Sequence, residues 1–138
     1  MQYMILVKAT ADTEAGAMPS EEMLESMATY HEELQRAGVL RDANGLKPSG
    51  QGWRVRYDGD ERTVIDGPFA ETKELLAGYT VIEVGSREEA LDWSRRFPNP
   101  VGRGEKAEIE VRPVFELDDF EPGAAIERFR ELDARTRD

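Results

Sequence analysis

The stretch Ile65-Asp66-Gly67-Pro68-Phe69-Ala70-Glu71-Thr72-Lys73-Glu74, followed at once by Leu75-Leu76-Ala77-Gly78-Tyr79, separates two strand-like runs and decides how the chain is read. Pro68 has no backbone N–H and forces Gly67 out of the helical region, so a strand ending near Asp66 cannot continue regular pairing through it. The chain turns there. Asp66 can accept hydrogen bonds from the N–H groups that follow, as in Asx-type turns, which makes it a structural residue. In the functional reading its carboxylate stands at a strand end beside Phe69 and Lys73 and lines a pocket, since such edges are where sites are built.

Upstream of this turn, Trp53, Val55 and Tyr57 alternate with Arg54 and Arg56, which predicts a strand with one dry and one wet face. Asp58-Gly59-Asp60 then leads into Thr63-Val64-Ile65, the tight spacing of an antiparallel hairpin. Downstream, Gly78 to Val84 is apolar on both faces for most of its length and predicts a central strand, as does Tyr3-Met4-Ile5-Leu6-Val7 near the amino terminus. Between them, Ser20 caps a helix whose Met23, Met27, Tyr30, Leu34 and Ala37 recur at helical spacing up to Gly38. His31, the one histidine, lies on the flank of that stripe, as a half-buried packing residue or as a proton-transfer group.

Residues 39 to 46 predict a second strand and 47 to 52 a Pro/Ser/Gly loop. Ser86-Arg87-Glu88-Glu89 reads as a capping box for a helix carrying Ala90, Trp93, Ser94 and Phe97 inward, stopped by Pro98 and Pro100. A last strand spans 108 to 114. Residues 10 to 18, closed by Pro19, read as a flexible loop, either mobile surface or a lid. Beyond about residue 120 comes a separate tail, 121–138. Phe115, Leu117 and Phe120 lead into it through acidic sequence, and Ala125, Ile126, Phe129 and Leu132 make a weak amphipathic helix.

The 138 residues make one domain large enough to bury a core without staples, and the absence of cysteine excludes disulfides, zinc-thiolate sites and thiol nucleophiles. No apolar run approaches the ~20 residues that span a bilayer, and Met1-Gln2-Tyr3-Met4-Ile5 lacks the basic then apolar design of a signal peptide, so a cytoplasmic protein is expected. A net charge of −11 repels polyphosphate backbones and anionic lipid, which argues against nucleic-acid and membrane partners.

Strand, helix, strand, hairpin, strand, helix, strand is the ferredoxin-like α+β order, an antiparallel sheet with two helices on one face and an inserted hairpin. Two helices cover only one face. The two central strands, however, carry apolar side chains on both, and at about 25 cal/mol per Å² a wet second face would forfeit several kcal/mol. The cover is expected from the same sheet of a second chain in an isologous homodimer, or from the apolar tail folding back or crossing to a partner.

The run Asp66 to Glu74, with Tyr3-Met4-Ile5-Leu6, Ala37-Gly38-Val39-Leu40, Ala77-Gly78-Tyr79 and Glu110-Val111-Arg112-Pro113-Val114, resembles the DGPF-motif branch of the YCII-related proteins over about residues 1 to 120. The resemblance implies a dimeric α+β barrel with two sheets facing one another. It also implies an enzyme-like cleft in which a histidine and an aspartate form an acid/base pair, although the position matching that helix histidine is near Met27 and not at His31. Relatives associated with alternative sigma factors imply a regulatory module instead.

Two functions follow. The first is a small-molecule enzyme without metal or organic cofactor, with Asp66 as acid or base, His31 as its partner, and Arg54, Phe69, Lys73 and Tyr79 around the ligand. It needs a carboxyl sheltered near Phe69 and Tyr79 so that it exchanges protons near neutral pH. The second is a binding or regulatory dimer without turnover. No nucleophile elbow, Walker loop or set of histidine metal ligands is present in the sequence.

Overall fold

The computed structural model describes residues 1–137. Its elements run β1 (Gln2–Lys8), α1 (Ala11–Glu14), α2 (Glu21–Arg36), β2 (Leu40–Gly45), β3 (Trp53–Asp58), β4 (Glu61–Asp66), β5 (Leu76–Glu83), α3 (Arg87–Arg95), β6 (Ile109–Pro113) and α4 (Ala124–Arg137). Four strands form one antiparallel sheet in the order β2-β5-β1-β6, and among the described residues β3 pairs only with β4. This is the ferredoxin-like arrangement, with the hairpin inserted between β2 and β5 as the order of elements predicted.

Register explains which face is dry. Ile5 sits opposite both Thr80 and Val111, and Tyr3 opposite Ile82, so these side chains share one face of the sheet. On that face Ile5, Ile82 and Val84 pack with Tyr30 and Leu34 of α2 and Ala90 and Trp93 of α3, joined at the edge by Phe97. Both helices begin where the sequence places a cap. The Ser20 hydroxyl accepts from the Met23 N–H, and the Ser86 hydroxyl from the Glu89 N–H. The Glu89 carboxylate reaches one residue further back than a capping box requires and accepts from the Gly85 N–H at 2.9 Å. Gly38, at φ +76°, ends α2 in the left-handed conformation that a Cβ disfavours.

The structure departs from expectation in three places. Residues 11–14, read as loop, form a single helical turn, because the Thr10 and Thr13 side chains each satisfy the other residue's backbone N–H. The hairpin has no dry face: Trp53, Val55 and Tyr57 are exposed, and so are Arg54 and Arg56. Among the described residues the apolar side of this two-stranded ribbon stays largely uncovered. Finally, the tail does not fold back as a cover. Phe115 and Phe120 stack on one another at 5.0 Å, Arg130 of α4 pairs with Asp118 at 2.7 Å, and Phe115, Phe120, Phe129 and Leu132 all remain exposed. Met4, Leu6, Tyr79 and Val81, on the sheet face away from the helices, are accordingly only half-buried.

No helix of the described residues is long and apolar enough to cross a membrane.

Candidate functional site

The turn after β4 is locked to the loop after β2 through glycine. A β-carbon on Gly67 would overlap the Ser49 carbonyl, so only glycine lets these two backbones meet, and the Gly67 N–H donates to the Gly52 carbonyl at 3.0 Å. The peptide bond between Gly67 and Pro68 is cis. The approach puts the Phe69 N–H 3.1 Å from the Ser49 hydroxyl, which accepts from it. That hydroxyl donates in turn to the Glu14 carboxylate at 2.5 Å, and the Ser49 N–H donates to the same carboxylate at 3.1 Å and 3.2 Å. A short oxygen–oxygen bond to a charged acceptor is of the stronger kind. Three segments distant in sequence, 10–15, 46–53 and 66–69, are thereby tied at Ser49.

Beside this knot opens a cleft of about 460 Å³. Its apolar walls are Leu46, Trp53, Phe69, Leu75 and Leu76, and its polar lining is Glu14, Lys47, Ser49 and Gln51. A few polar groups among apolar walls suit a small organic molecule with one ionisable or hydroxyl-bearing end. Among the described residues no group of three or more His, Cys, Asp or Glu is arranged to hold a metal ion.

The six residues singled out from the sequence fall in four places. Asp66, Phe69 and Arg54 gather at the base of the hairpin. Asp66 is the direct cross-strand partner of the cleft-wall residue Trp53, which puts both side chains on one face of the hairpin, while the Arg54 guanidinium lies 3.8 Å over the centre of the Phe69 ring. Asp66 is exposed, so the shelter expected for it from Phe69 and Tyr79 is not supplied by this chain alone. Lys73, in the short turn 72–74, is exposed and makes no ion pair among the described residues.

His31 and Tyr79 lie on opposite sides of the sheet. The Met27 carbonyl can only accept, so at 2.7 Å from His31 Nδ1 it places a proton on that nitrogen. In the neutral ring Nε2 then accepts from the Thr80 hydroxyl at 2.8 Å. Thr80 is 2% exposed and is the buried polar residue of the core, so His31 satisfies it. Tyr79, one residue earlier in β5, points the other way. Its hydroxyl donates to Asp42 at 2.9 Å and accepts from Asn44 at 3.0 Å. His31 and Asp66 form no dyad.

Sequence reasoning missed Glu14, Lys47, Ser49 and Gln51. Glu14 sat in a stretch read as aperiodic loop and the others in a segment read as connector; the available signal was Gly67, whose close approach demands a backbone partner.

The fold is that of a ferredoxin-like α+β protein with a cleft at the root of an inserted hairpin. The chain belongs to the YCII-related domain family, whose model matches residues 1–118. It is similar to the uncharacterized protein R00369 of Rhizobium meliloti (strain 1021), at 34% identity over 94 residues, 68% of this chain and 74% of that one. Among solved structures it is similar to the 5-chloro-2-hydroxyhydroquinone dehydrochlorinase TftG of Burkholderia phenoliruptrix AC1100 in complex with 2,5-dihydroxybenzoquinone. That likeness has 12% identity and a TM-score of 0.42, over 83% of this chain and 94% of the other.

Proposed function

We propose that this protein is a homodimer that binds a small organic molecule in the cleft between Phe69 and the 46–53 loop, with Asp66 at the rim as the acid/base group and no metal or organic cofactor. The observation that supports this reading is that Trp53, which walls the cleft together with Phe69, is the cross-strand partner of Asp66. An apolar, planar ligand body would lie between Trp53 and Phe69, and Lys47 would meet an anionic or hydroxyl end. His31, both of whose nitrogens are engaged inside the subunit, is given to the fold and not to the chemistry. A second subunit against the half-buried sheet face would remove water from Met4, Leu6 and Val81 and narrow the mouth beside Asp66.

The test is a titration of a panel of small aromatic acids and phenols against Trp53 emission, with turnover followed on each compound that binds. Asp66→Asn is expected to leave the dimer intact and abolish turnover, and Phe69→Ala to weaken binding at least tenfold, equivalent to about 1.4 kcal/mol. Binding that survives both substitutions unchanged would refute the site. Binding without turnover in the unaltered protein would select the regulatory module over the enzyme.

A further inference from the structure

Two of the apolar surfaces left bare among the described residues are of a size to cover one another. The first is the hairpin face formed by Trp53, Val55, Tyr57 and Val64, with exposures of 65, 40, 64 and 64%, in which Val55 and Val64 are direct cross-strand partners. A two-stranded ribbon is marginal in water by itself, and packing on one face is what stabilises it. The second is the stripe of α4, where Phe129 and Leu132 are 56% and 53% exposed, with Ile126 one turn earlier. At ~1.5 Å and ~3.3 Å per residue, the stripe from Ile126 to Leu132 is about 10 Å long and the hairpin face from Trp53 to Tyr57 about 16 Å, so the helix stripe fits within the hairpin face.

In the folded subunit they do not cover each other. The Arg130–Asp118 pair, with Glu127 also near Arg130, holds α4 against the short turn 117–119.

We infer that α4 is a strap: it crosses to a second copy and lies along the apolar face of that copy's hairpin, with its own hairpin taking the partner's α4. The contact is reciprocal, as a two-fold axis requires. The segment 124–137 lies beyond residues 1–118, which the family model matches. If each aromatic side chain offers ~150 to 250 Å², the exposed parts of these two surfaces amount to on the order of 600 Å² per subunit. Covering both copies buries about 1,200 Å², the lower end of what a stable interface needs before the sheet faces add to it. Because Trp53 stands at both the hairpin base and the cleft wall, the strap would also close the cleft from the partner's side.

The inference rests on the homodimer proposed above, and the experiment separates the two. The chain has no cysteine, so single thiols can be placed cleanly. Val55→Cys chains and size-tagged Phe129→Cys chains are co-expressed and treated with a short bismaleimide, which bridges neighbouring thiols without demanding disulfide geometry. Val101→Cys, at an equally exposed site, replaces Val55→Cys in the control. A mixed covalent dimer formed several-fold more than in the control is the expected result. A dimer by light scattering whose mixed product equals the control rejects the strap alone, and a monomer rejects strap and dimer together. Covalent pairs of Phe129→Cys without mixed product mean that α4 meets α4. Closure within one chain carrying both thiols means that the helix folds back. Either of these also overturns the strap.

Discussion

Gly67 and Ser49 meet backbone to backbone with no room for a side chain between them. Gly67→Ala must therefore push the 48–51 loop away, and with it both the Ser49 bonds to Glu14 and the Phe69 anchor. Overpacking of this kind costs about 1–3 kcal/mol. Urea unfolding monitored by far-UV dichroism checks this, and a midpoint equal to that of the parent chain would contradict it.

Ser49 is the hinge pin of the cleft. Ser49→Ala removes the acceptor of the Phe69 N–H and one donor to Glu14, at a cost of about 1–2 kcal/mol. Glu14→Gln keeps an acceptor for the Ser49 N–H and loses less. If Ser49 positions Phe69, Ser49→Ala also weakens any cleft ligand several-fold, whereas a loss of stability with affinity unchanged would confine Ser49 to the fold.

His31 and Thr80 are expected to act as one structural unit. Thr80→Val leaves His31 Nε2 without its partner, and His31→Ala strands the Thr80 hydroxyl in the core, each costing about 1–3 kcal/mol. Their effects combine to less than their sum, since both remove the same bond. Ligand affinity at the cleft stays put in both variants. A large drop in turnover for His31→Ala at full stability would instead return the histidine to the chemistry.

Burial raises the Tyr30 phenol from its ordinary 10.0 to about 12, and its hydroxyl donates to the Trp93 carbonyl at 2.8 Å. Below pH 10 both folded and unfolded forms hold the proton, and this group adds no pH dependence. Between pH 10 and 12 the unfolded chain ionises first, so stability falls, by about 2–3 kcal/mol in all. Denaturant midpoints measured from pH 8 to 12 should show that decline and should show less of it in Tyr30→Phe, which pays about 1 kcal/mol at neutral pH for the lost bond. An identical alkaline limb in both proteins would remove Tyr30 as its cause.

The order of elements was legible because each signal was local. Ser20, Gly38 and Ser86 mark helix ends through bonds that span three or four residues, and the short runs Tyr3–Val7 and Gly78–Val84 mark central strands by being apolar on both faces. The prediction that the sheet has apolar side chains above and below also came from pattern alone, and Met4, Leu6 and Val81 stand half-buried on the second face. For the hairpin the same reasoning failed. Alternation at Trp53, Val55 and Tyr57 predicts a dry face, but pattern records only what a strand could bury, and among the described residues that face stays exposed.

The candidate site was legible only in part, through Asp66, Phe69 and Arg54, which lie within one hairpin and its turn. Glu14 and Ser49 are separated by 35 residues and joined by a hydrogen bond that no spacing encodes. By itself the amino-acid sequence determined the ferredoxin-like order, the helix ends and the break at Gly67-Pro68, because these follow from short-range sterics and the periodicity of burial. Tertiary structure alone decided that His31 and Tyr79 stand on opposite sides of a sheet, that Asp66 pairs across the hairpin with Trp53, and that α4 leaves the sheet of its own subunit uncovered. Those are distances between remote segments, set by how register and packing bring them together.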